Sequence, residues 1–437
     1  MLMHARSNEL LKLMQPLGGL ASRMVRVRTE SDGPRFTIQT LQLGDVGQTW
    51  NHTEHSCGRS SISGTGVGID ATESGVPALA EALERYCASV FAEQQVLWAT
   101  ARDLGDDALD LDTIPRCSSR EIADPRCPLR IPSKTEPIRW VKSLSLLDGR
   151  TVYVPLVMAY LHTGFATPAE RIACSISTGC AAQVSFDRAL ASAILEVIER
   201  DAISLTWLQK LGLPEIIIDQ VPPFFAQTWE IYKRGSIDLE SRFFDATTDV
   251  GIPIVYGVEV SRGNRQVNTV VCCSSSLDPT QAVFKVIRDL AATRIALLSA
   301  GPYPSDLADF TDVLHGATFM ARAEQAAAFG FILNSGQQRS LTDTGALHVA
   351  TGENELQLLL EHLRRRRLDA YAIDLTTDEA WRSGFRVVRA LVPGLQPLGL
   401  QYRARYLGHP RLYQAPREMG YPVHSEEHLN PWPQPFA

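Results

Sequence analysis

Apolar and polar residues alternate along several short segments, and this two-residue period predicts β-strands. Two pairs of segments are typical of β-hairpins, because Asp148 and Gly149 join the first pair and Gly263 and Asn264 join the second. Pro393 ends a further strand. The predicted strands are residues 138–147 and 151–160, residues 252–261 and 266–273, residues 370–376, and residues 386–392.

Three longer stretches have apolar residues at helical spacing, at residues 77–92, 186–209 and 279–299. The third has the clearest start, since Asp278 can cap it and Pro279 suits a first helical turn. Strands and helices are mixed along the chain, and no Pro/Gly/Ser-rich linker divides it. We therefore predict one large α+β unit with mixed β-sheets flanked by helices.

Composition narrows the class of protein. The 437 residues are 45% apolar and 21% charged, which is ordinary for a globular protein. The net charge of −7 gives no field that would attract nucleic acid or an anionic membrane. The basic run at residues 364–367 follows an apolar helical pattern, so we interpret it as the solvated end of a helix.

The eight cysteines show neither a CxxC motif nor the Cys/His spacing of a zinc site. No window approaches the roughly 18 uncharged apolar residues of a membrane-spanning helix. We therefore predict a soluble cytoplasmic protein with reduced thiols.

A short internal repeat carries the candidate chemistry. Residues 79–88 and 194–203 share the pattern apolar-apolar-Glu-apolar-apolar-Glu-Arg. Side chains three positions apart lie on one face of a helix, so each copy presents two carboxylates to the same side. The pairs are Glu81 with Glu84 and Glu196 with Glu199.

Two interpretations of this repeat are open. Each copy could be an exposed helix face with local ion pairs, which are common and weak. Alternatively, the four carboxylates converge and need cations to offset their repulsion, and two copies in the same apolar frame favour this interpretation. The ligands are hard oxygens and no Glu-x-x-His pair accompanies them, which favours Mg²⁺ over iron or zinc. Since Mg²⁺ often sits between carboxylates and phosphates, the site would take a nucleotide.

Small residues precede each acidic helix, at residues 63–68 and 177–182, and could let the backbone approach a phosphate or ribose closely. The chain has no GxxxxGK[ST] motif, and the first segment fails the GxGxxG spacing. A nucleotide would therefore be bound in a different way.

The repeat and its surroundings resemble the YcaO family over most of the chain. Residues 68–85 are similar to that family's Gly-rich turn and first acidic helix, and residues 177–202 to its second motif. Residues 282–294 resemble its third motif helix, with Asp289 where glutamate is usual. The resemblance implies a YcaO-like fold whose pseudo-repeated halves surround one ATP site. Residues 372–376, 391–396 and 407–411 resemble the C-terminal half of YcaO family members.

That resemblance implies an enzyme that uses ATP and Mg²⁺ to activate a backbone amide. The residues matching the family's metal-binding glutamates are Glu81, Glu84, Glu196 and Glu199. The residues implied at the ATP are Ser22, Glu84, Ser192, Glu196, Asp289 and Arg294. Arg294 would act on the phosphates, and Ser192 stands where some members have a nucleotide-contacting glutamine.

The C-terminal segment has proline at every second position, at Pro431, Pro433 and Pro435, which favours polyproline II. By itself it could be a frayed end or a partner-binding peptide. It resembles the tail of azoline-forming YcaO enzymes, where such a tail packs toward the active site and is needed for cyclodehydration. We therefore expect catalytic roles for the three prolines and for Ala437, whose carboxylate is a hypothetical general base.

The resemblance implies ATP-dependent cyclodehydration of Cys, Ser or Thr in a ribosomal precursor peptide to thiazoline or oxazoline. The alternatives are a YcaO thioamide synthetase and a non-catalytic YcaO-like scaffold that binds peptide. The first motif begins near residue 63, which leaves no room for the leader-binding domain of many relatives. We therefore expect a separate ubiquitin-activating-like partner that binds the leader peptide, and in some systems an FMN dehydrogenase. Homodimerisation stays open.

The predicted divisions of the chain follow from these motifs. Residues 1–60 form an N-terminal segment packed on the core, residues 61–415 the catalytic domain, and residues 416–437 a Pro-rich tail that reaches toward the active site.

Overall fold

The computed structural model describes residues 12–14, 19–21, 23–29, 33–45, 61–235, 238–349 and 354–437. The described strands form three sheets, and helices pack on and between them. The predicted α+β class is therefore confirmed. Within the described residues, no helix combines the length and apolarity that crossing a bilayer requires.

Two sheets are antiparallel throughout, and one contains a single parallel pair. The first has the order β1 (Met24–Val27), β2 (Thr37–Asp45), β3 (Ser61–Gly68). The second has the order β4 (Leu97–Ala99), β5 (Ile138–Ser145), β13 (Tyr371–Asp374), β14 (Arg386–Leu391), β7 (Cys180–Gln183), with β6 (Thr151–Pro155) also on β5. The third has the order β11 (Thr269–Ser275), β10 (Ile254–Ser261), β9 (Leu239–Asp245), β8 (Glu215–Ile217), β12 (Gln338–Ser340), and β8 with β12 is the parallel pair.

The helices range from one turn to more than six. The α-helices are α1 (Ala71–Ser89), α2 (Ala101–Leu104), α3 (Ser119–Ala123), α4 (Leu156–Ala159), α5 (Phe186–Gln209), α6 (Ala226–Gly235), α7 (Pro279–Leu298), α8 (Val313–Met320), α9 (Gly330–Leu333), α10 (Glu355–Arg365), α11 (Asp378–Arg382) and α12 (Arg411–Glu418). Short 3₁₀ segments are Lys12–Met14, Glu93–Gln95, Gly105–Asp107, Pro168–Glu170, Pro223–Phe225, Leu307–Asp309, Ala323–Phe329, Leu341–Asp343 and Glu426–His428.

Most predicted elements are present, although several of their ends are shifted. Helix α1 starts six residues earlier than predicted, because the Asp70 carboxylate accepts hydrogen bonds from the first free amides of the helix. The strand predicted at residues 151–160 ends at Pro155, and the buried residues that follow form α4. A short apolar run is compatible with a buried strand or a buried helix, so its periodicity could not separate them.

The glycines of β3 serve helix packing. A Cβ at Gly64 would lie 2.0 Å from the Ala78 carbonyl oxygen, and one at Gly66 would lie 1.9 Å from the Ser74 carbonyl oxygen. Both carbonyls belong to α1, so β3 and α1 can approach this closely only through glycine. The predicted Gly-rich turn at residues 63–68 is instead part of strand β3, pressed against a helix, and its predicted approach to a phosphate stays a prediction.

Helix α5 joins the second and third sheets, since it packs against β14, β7 and β11. A buried ion network fixes its C-terminal half. The Asp201 carboxylate accepts hydrogen bonds from the Gln396 amide at 2.8 Å and from the Arg411 guanidinium at 2.7 Å. Arg411 also binds Asp249 at 2.6 Å, so α5 is tied to α12. Charges this deeply buried are stable only when paired in this way.

The predicted divisions of the chain stay predictions. The described parts of residues 1–60 include β1 and β2, which share a sheet with β3. The division after residue 415 falls inside α12.

Candidate active site

The two repeated Glu-x-x-Glu-Arg segments lie on α1 and α5, and both helices pack against β7 and β14. The glutamates therefore face one region between the helices. They are also close enough to interact electrostatically, because the carboxylates of Glu196 and Glu81 both raise the pKa of Glu84.

In the first copy, the Glu81 carboxylate is held at both oxygens. One oxygen accepts the Thr65 backbone N–H of β3 at 2.6 Å, and the other accepts the Arg85 guanidinium at 2.6 Å. Arg85 also donates to the Ser63 carbonyl at 2.9 Å. The first carboxylate is therefore fixed by its own helix and by the strand that precedes the helix.

The second copy repeats this geometry. The Glu196 carboxylate accepts the Gly179 backbone N–H at 3.0 Å and the Arg200 guanidinium at 3.1 Å. Gly179 adopts φ +83°, and a Cβ there would lie 2.3 Å from the Ala390 carbonyl oxygen. Glycine thus lets the turn before β7 aim its N–H at the carboxylate, and the sequence repeat is a repeat of structure.

The carboxylate of Glu199 is the most deeply buried of the four glutamates, with 6% of its side chain exposed. It accepts the Arg200 guanidinium at 2.5 Å and the Ser275 backbone N–H of β11 at 3.0 Å. Arg200 therefore bridges the two carboxylates of its own copy.

Glu84 differs from the other three glutamates. It is half-buried, and within the described part of the chain it makes no hydrogen bond or close ion pair. Burial raises its pKa well above the usual range, and the neighbouring carboxylates raise it further. Arg85 and Arg389 oppose this rise. Burial and the like charges of its neighbours thus disfavour the ionised form of Glu84, and a bound cation would offset both effects.

Helix α7 adds two charged groups to the same region. Burial raises the pKa of Asp289, and the Glu199 and Glu81 carboxylates raise it further. Lys285, one helical turn earlier, opposes that rise and is an exposed residue. Asp289 therefore lies between the two copies of the repeat. Lys285 was not predicted as a site residue, although its i,i+4 spacing to Asp289 puts it on the same face.

Arg389 of β14 is a second residue that the sequence analysis missed. It is 4% exposed, its Nη1 donates to the Cys180 thiol at 3.7 Å, and its charge lowers the pKa of Glu84. A signal was present, since an arginine within an otherwise apolar strand is costly to bury without a partner.

The residues fit a divalent cation, although the carboxylates are engaged with the protein. Among the described residues, no three Asp, Glu, His or Cys side chains already surround a metal-sized space. Arginines and backbone amides hold the oxygens of Glu81, Glu196 and Glu199, and Glu84 is left without them. The donor set is all carboxylate oxygen, which suits Mg²⁺.

The structure does not bring Arg294 to the carboxylates by any described contact. Its Nε donates to the buried Glu259 carboxylate at 2.6 Å, and its Nη1 donates to the Val267 carbonyl at 2.6 Å. Lys285 is the α7 cation whose charge acts on the glutamate cluster. The predicted phosphate role of Arg294 stays a prediction.

Two other residues were predicted at the ATP, Ser192 and Ser22. The Ser192 hydroxyl, one turn before Glu196, accepts a hydrogen bond from the Gln183 side-chain amide at 3.3 Å. Both residues line an open pocket with Asp187 and Arg188. Ser22 lies outside the described residues.

The Pro-rich tail packs into the protein and is not a frayed end. Pro433, Pro435 and Phe436 are buried, and Ala437 is exposed. The Trp207 indole of α5 donates to the Trp432 carbonyl at 3.2 Å. Further tail contacts are the Tyr402 hydroxyl to the Pro431 carbonyl at 2.7 Å and the Arg405 guanidinium to the Asn430 carbonyl at 2.8 Å.

The end of the tail lies near the carboxylate region. The Phe436 ring meets the Tyr256 ring edge to face, with 5.2 Å between centroids. Tyr256 is the cross-strand neighbour of Cys273. Burial raises the pKa of Cys273, and the next cause is the charge of Glu199. Two side chains, Tyr256 and Cys273, thus connect the tail to the site.

Comparison with known proteins identifies a family match over most of the chain. A family model described as YcaO cyclodehydratase, ATP- and Mg²⁺-binding, matches residues 65–396. An uncharacterised protein from the tfuA 3′ region of Rhizobium leguminosarum bv. trifolii is 29% identical over 252 residues, or 54% of this chain and 55% of that protein.

Two solved structures have the same fold. One is described as a heterocyclase in complex with substrate and cofactor, with TM-score 0.79 and 22% identity over 99% of this chain and 57% of that chain. The other is the Escherichia coli microcin synthetase McbBCD complex, with TM-score 0.60 and 15% identity over 87% of this chain and 90% of the matched chain. The chain spans little more than half the length of the Rhizobium protein and of the heterocyclase.

Proposed function

The chain belongs to the YcaO family of ATP- and Mg²⁺-binding cyclodehydratases, and from that premise we propose that it converts Cys, Ser or Thr of a ribosomal precursor peptide to thiazoline or oxazoline. The observation that carries the proposal is the duplicated carboxylate arrangement, in which Glu81 and Glu196 are held alike and Glu84 lies uncompensated beside them. Carboxylates arranged around uncompensated charge can hold cations and, through them, phosphates.

The residues that would hold Mg²⁺ are Glu81, Glu84, Glu196 and Glu199. When bound, Mg²⁺ supplies charge neutralisation for the phosphates of ATP. The chain adds its own cations for the same task, since Lys285 interacts electrostatically with the cluster and Arg389 acts on Glu84. Positive charge placed in advance around a transferring phosphoryl group is the largest source of catalysis in such reactions.

The reaction has three steps. The thiol or hydroxyl of the peptide residue attacks the carbonyl carbon of the preceding amide and loses its proton, which leaves an oxyanion on that carbon. The oxyanion attacks the γ-phosphorus of ATP, and ADP leaves. The carbon–oxygen bond then breaks, phosphate leaves with that oxygen, and the nitrogen loses its proton as the C=N bond forms. ATP is needed because hydroxide is a poor leaving group and phosphate a good one.

The Pro-rich tail would shape the peptide side of the site. Its Phe436 ring meets Tyr256, and one side chain, Cys273, separates Tyr256 from Glu199. We assign Pro431, Pro433 and Pro435 to positioning this segment and keep the Ala437 carboxylate as the candidate general base. The tail supports azoline formation over thioamide formation and over a non-catalytic scaffold.

The substrate and partners belong to the same proposal. We expect a ribosomal precursor peptide, a ubiquitin-activating-like protein that binds its leader and, where azoles are formed, an FMN dehydrogenase. The McbBCD neighbour is itself a complex of several proteins, which supports the proposal that this chain acts together with partner proteins. The mature product would be an azoline- or azole-containing peptide of the microcin type.

The test is ATP-dependent loss of water from the precursor peptide. The chain is combined with the precursor and the leader-binding partner, and the product is weighed by mass spectrometry. We expect one water lost per cyclised residue, only with Mg²⁺ and ATP. Glu196→Gln should slow this at least about 100-fold, the usual cost of losing an electrostatic catalytic group.

Glu240→Gln is the matched control, since Glu240 is exposed and pairs with Arg262 at 3.2 Å far from the repeat motifs in sequence. It should leave the rate unchanged. Replacement of oxygen by sulfur in the product would identify a thioamide synthetase instead. Peptide binding without Mg²⁺-dependent ATP turnover would identify a scaffold, and an unchanged Glu196→Gln rate would contradict the assigned site.

A further inference from the structure

An apolar cavity of about 100 Å³ lies beside the carboxylate cluster. Its walls include Ile114, Met158, Ile172, Ile176, Val197 and Leu391. Arg200 and Arg389 also line it, and these are the two cations that act on the glutamates from that side. The cavity and the carboxylate cluster therefore share these two arginines.

Two polar atoms in the lining residues are buried without partners among the described residues. They are Arg389 Nε, a donor, and Gln396 Oε1, an acceptor. Arg389 is 4% exposed and Gln396 is 1% exposed. Each buried unpaired group costs about 1–3 kcal/mol. Neither atom has accessible surface in the cavity, so both lie behind its lining and the cavity itself offers mainly apolar contacts.

The volume of the cavity indicates whether the nucleotide or the peptide substrate occupies it. An engineered cavity of about 150 Å³ holds one benzene ring. A space of about 100 Å³ is smaller, so it suits an aliphatic side chain and excludes a purine base. The occupant therefore comes from the peptide and not from the nucleotide.

We propose that this cavity receives the aliphatic side chain of the residue that precedes the cyclised Cys, Ser or Thr. The inference rests on the proposed function. That residue carries the attacked carbonyl, so its side chain branches one carbon away from the reacting centre. Arg200 and Arg389 line the cavity and also act on the carboxylates, so the side chain can enter the cavity while its carbonyl lies at the phosphates. The cavity then selects the residue by the size of its side chain.

The test compares two precursor peptides that carry Val or Gly before one cyclised Cys. Ala173 lines the cavity, so Ala173→Leu fills part of it. The wild type should favour the Val peptide about 10-fold in kcat/KM, the usual discrimination of a small apolar pocket. In Ala173→Leu that preference should vanish while the Gly peptide keeps its wild-type rate. Ala326→Leu adds the same volume at another half-buried position and should change neither peptide.

A second variant covers the case in which Ala173→Leu fails to fold. Ile176→Ala enlarges the cavity and should shift the preference from Val toward Leu or Phe. Equal wild-type kcat/KM for the Val and Gly peptides, or an unchanged preference in Ile176→Ala, would overturn the pocket assignment alone. No loss of water from either peptide with the wild type would contradict the proposed function itself.

Discussion

Single side chains set the charge balance of the candidate site. Its carboxylates outnumber the cations in direct contact with them, and Glu84 is left without a close cation. Lys285 is exposed, and the Glu199, Asp289 and Glu196 carboxylates raise its pKa. It therefore stays charged at neutral pH and can turn toward an incoming phosphate.

Lys285→Met should weaken binding of Mg²⁺–ATP by about 10- to 100-fold, because a hydrogen bond to a charged group contributes about 1.5–3 kcal/mol. Isothermal titration of the nucleotide into the protein measures the change. Lys233→Met is the control, since Lys233 is half-exposed and pairs only locally with Glu230 at 2.7 Å. Equal affinity in the wild type and Lys285→Met would remove this lysine from the phosphate site.

The sequence predicted those site residues that can be found from local spacing alone. The four glutamates follow from two i,i+3 pairs in one helical pattern, and no long-range information is needed to find them. Lys285 and Arg389 were missed because their place at the site depends on how α7 and β14 pack. Arg294 was taken from the resemblance, and its ion pair with Glu259 depends on the same packing.

The secondary-structure elements repeat a simple unit. A backbone N–H from a strand or turn and an arginine one helical turn later fix the first glutamate of each copy. The unit depends on close approach of backbone to helix. In the first copy, Gly64 and Gly66 of β3 provide that approach.

Gly66→Ala should be strongly destabilising, because its Cβ would lie 1.9 Å from the Ser74 carbonyl oxygen and the helix backbone cannot yield. We expect a loss of several kcal/mol, about 3 or more, from such overpacking. Urea unfolding measures it. Gly301→Ala is the control, since no atom lies within 4 Å of its added Cβ, and it should stay within about 0.5 kcal/mol of the wild type.

The hairpins, the three long helices and the late strands could be predicted because each has a clear period and turn chemistry. Strand β3 was not recognised, although Gly64, Gly66 and Gly68 recur at the two-residue spacing of a strand face. Glycine has little strand propensity and no side chain, so this segment shows no apolar alternation from which a strand could be predicted. What made it a strand is the helix that packs on its glycine face.

At the scale of the whole molecule, the C-terminal tail connects distant parts of the chain. It contacts α5 through Trp207, the third sheet through Tyr256 and α8 through Gly316, where a Cβ would lie 2.3 Å from the Gln434 carbonyl oxygen. Its polyproline pattern predicted an extended segment. Its path could not be predicted, because the partners lie more than a hundred residues away in sequence.

Phe436→Ala should abolish cyclisation and leave binding of Mg²⁺–ATP largely intact, because it detaches the tail from Tyr256 without touching the carboxylates. The free energy of unfolding should also fall by about 3 kcal/mol, the usual cost of truncating a buried aromatic ring. Mass spectrometry of the product and nucleotide titration, both well below the unfolding temperature, separate the effects. Phe224→Ala, at a residue 87% exposed, is the control. Parallel loss of cyclisation and ATP binding would mean that the tail is only structural.

The arginines that hold the carboxylates have a consequence for metal binding. Glycine packing holds α1 against β3, and the Asp201–Arg411 network holds α5 against α12. A cation that bound Glu81 and Glu196 would displace the guanidinium groups of Arg85 and Arg200 from those carboxylates. Loading of the site would then be an exchange of counter-ions by side-chain rotation.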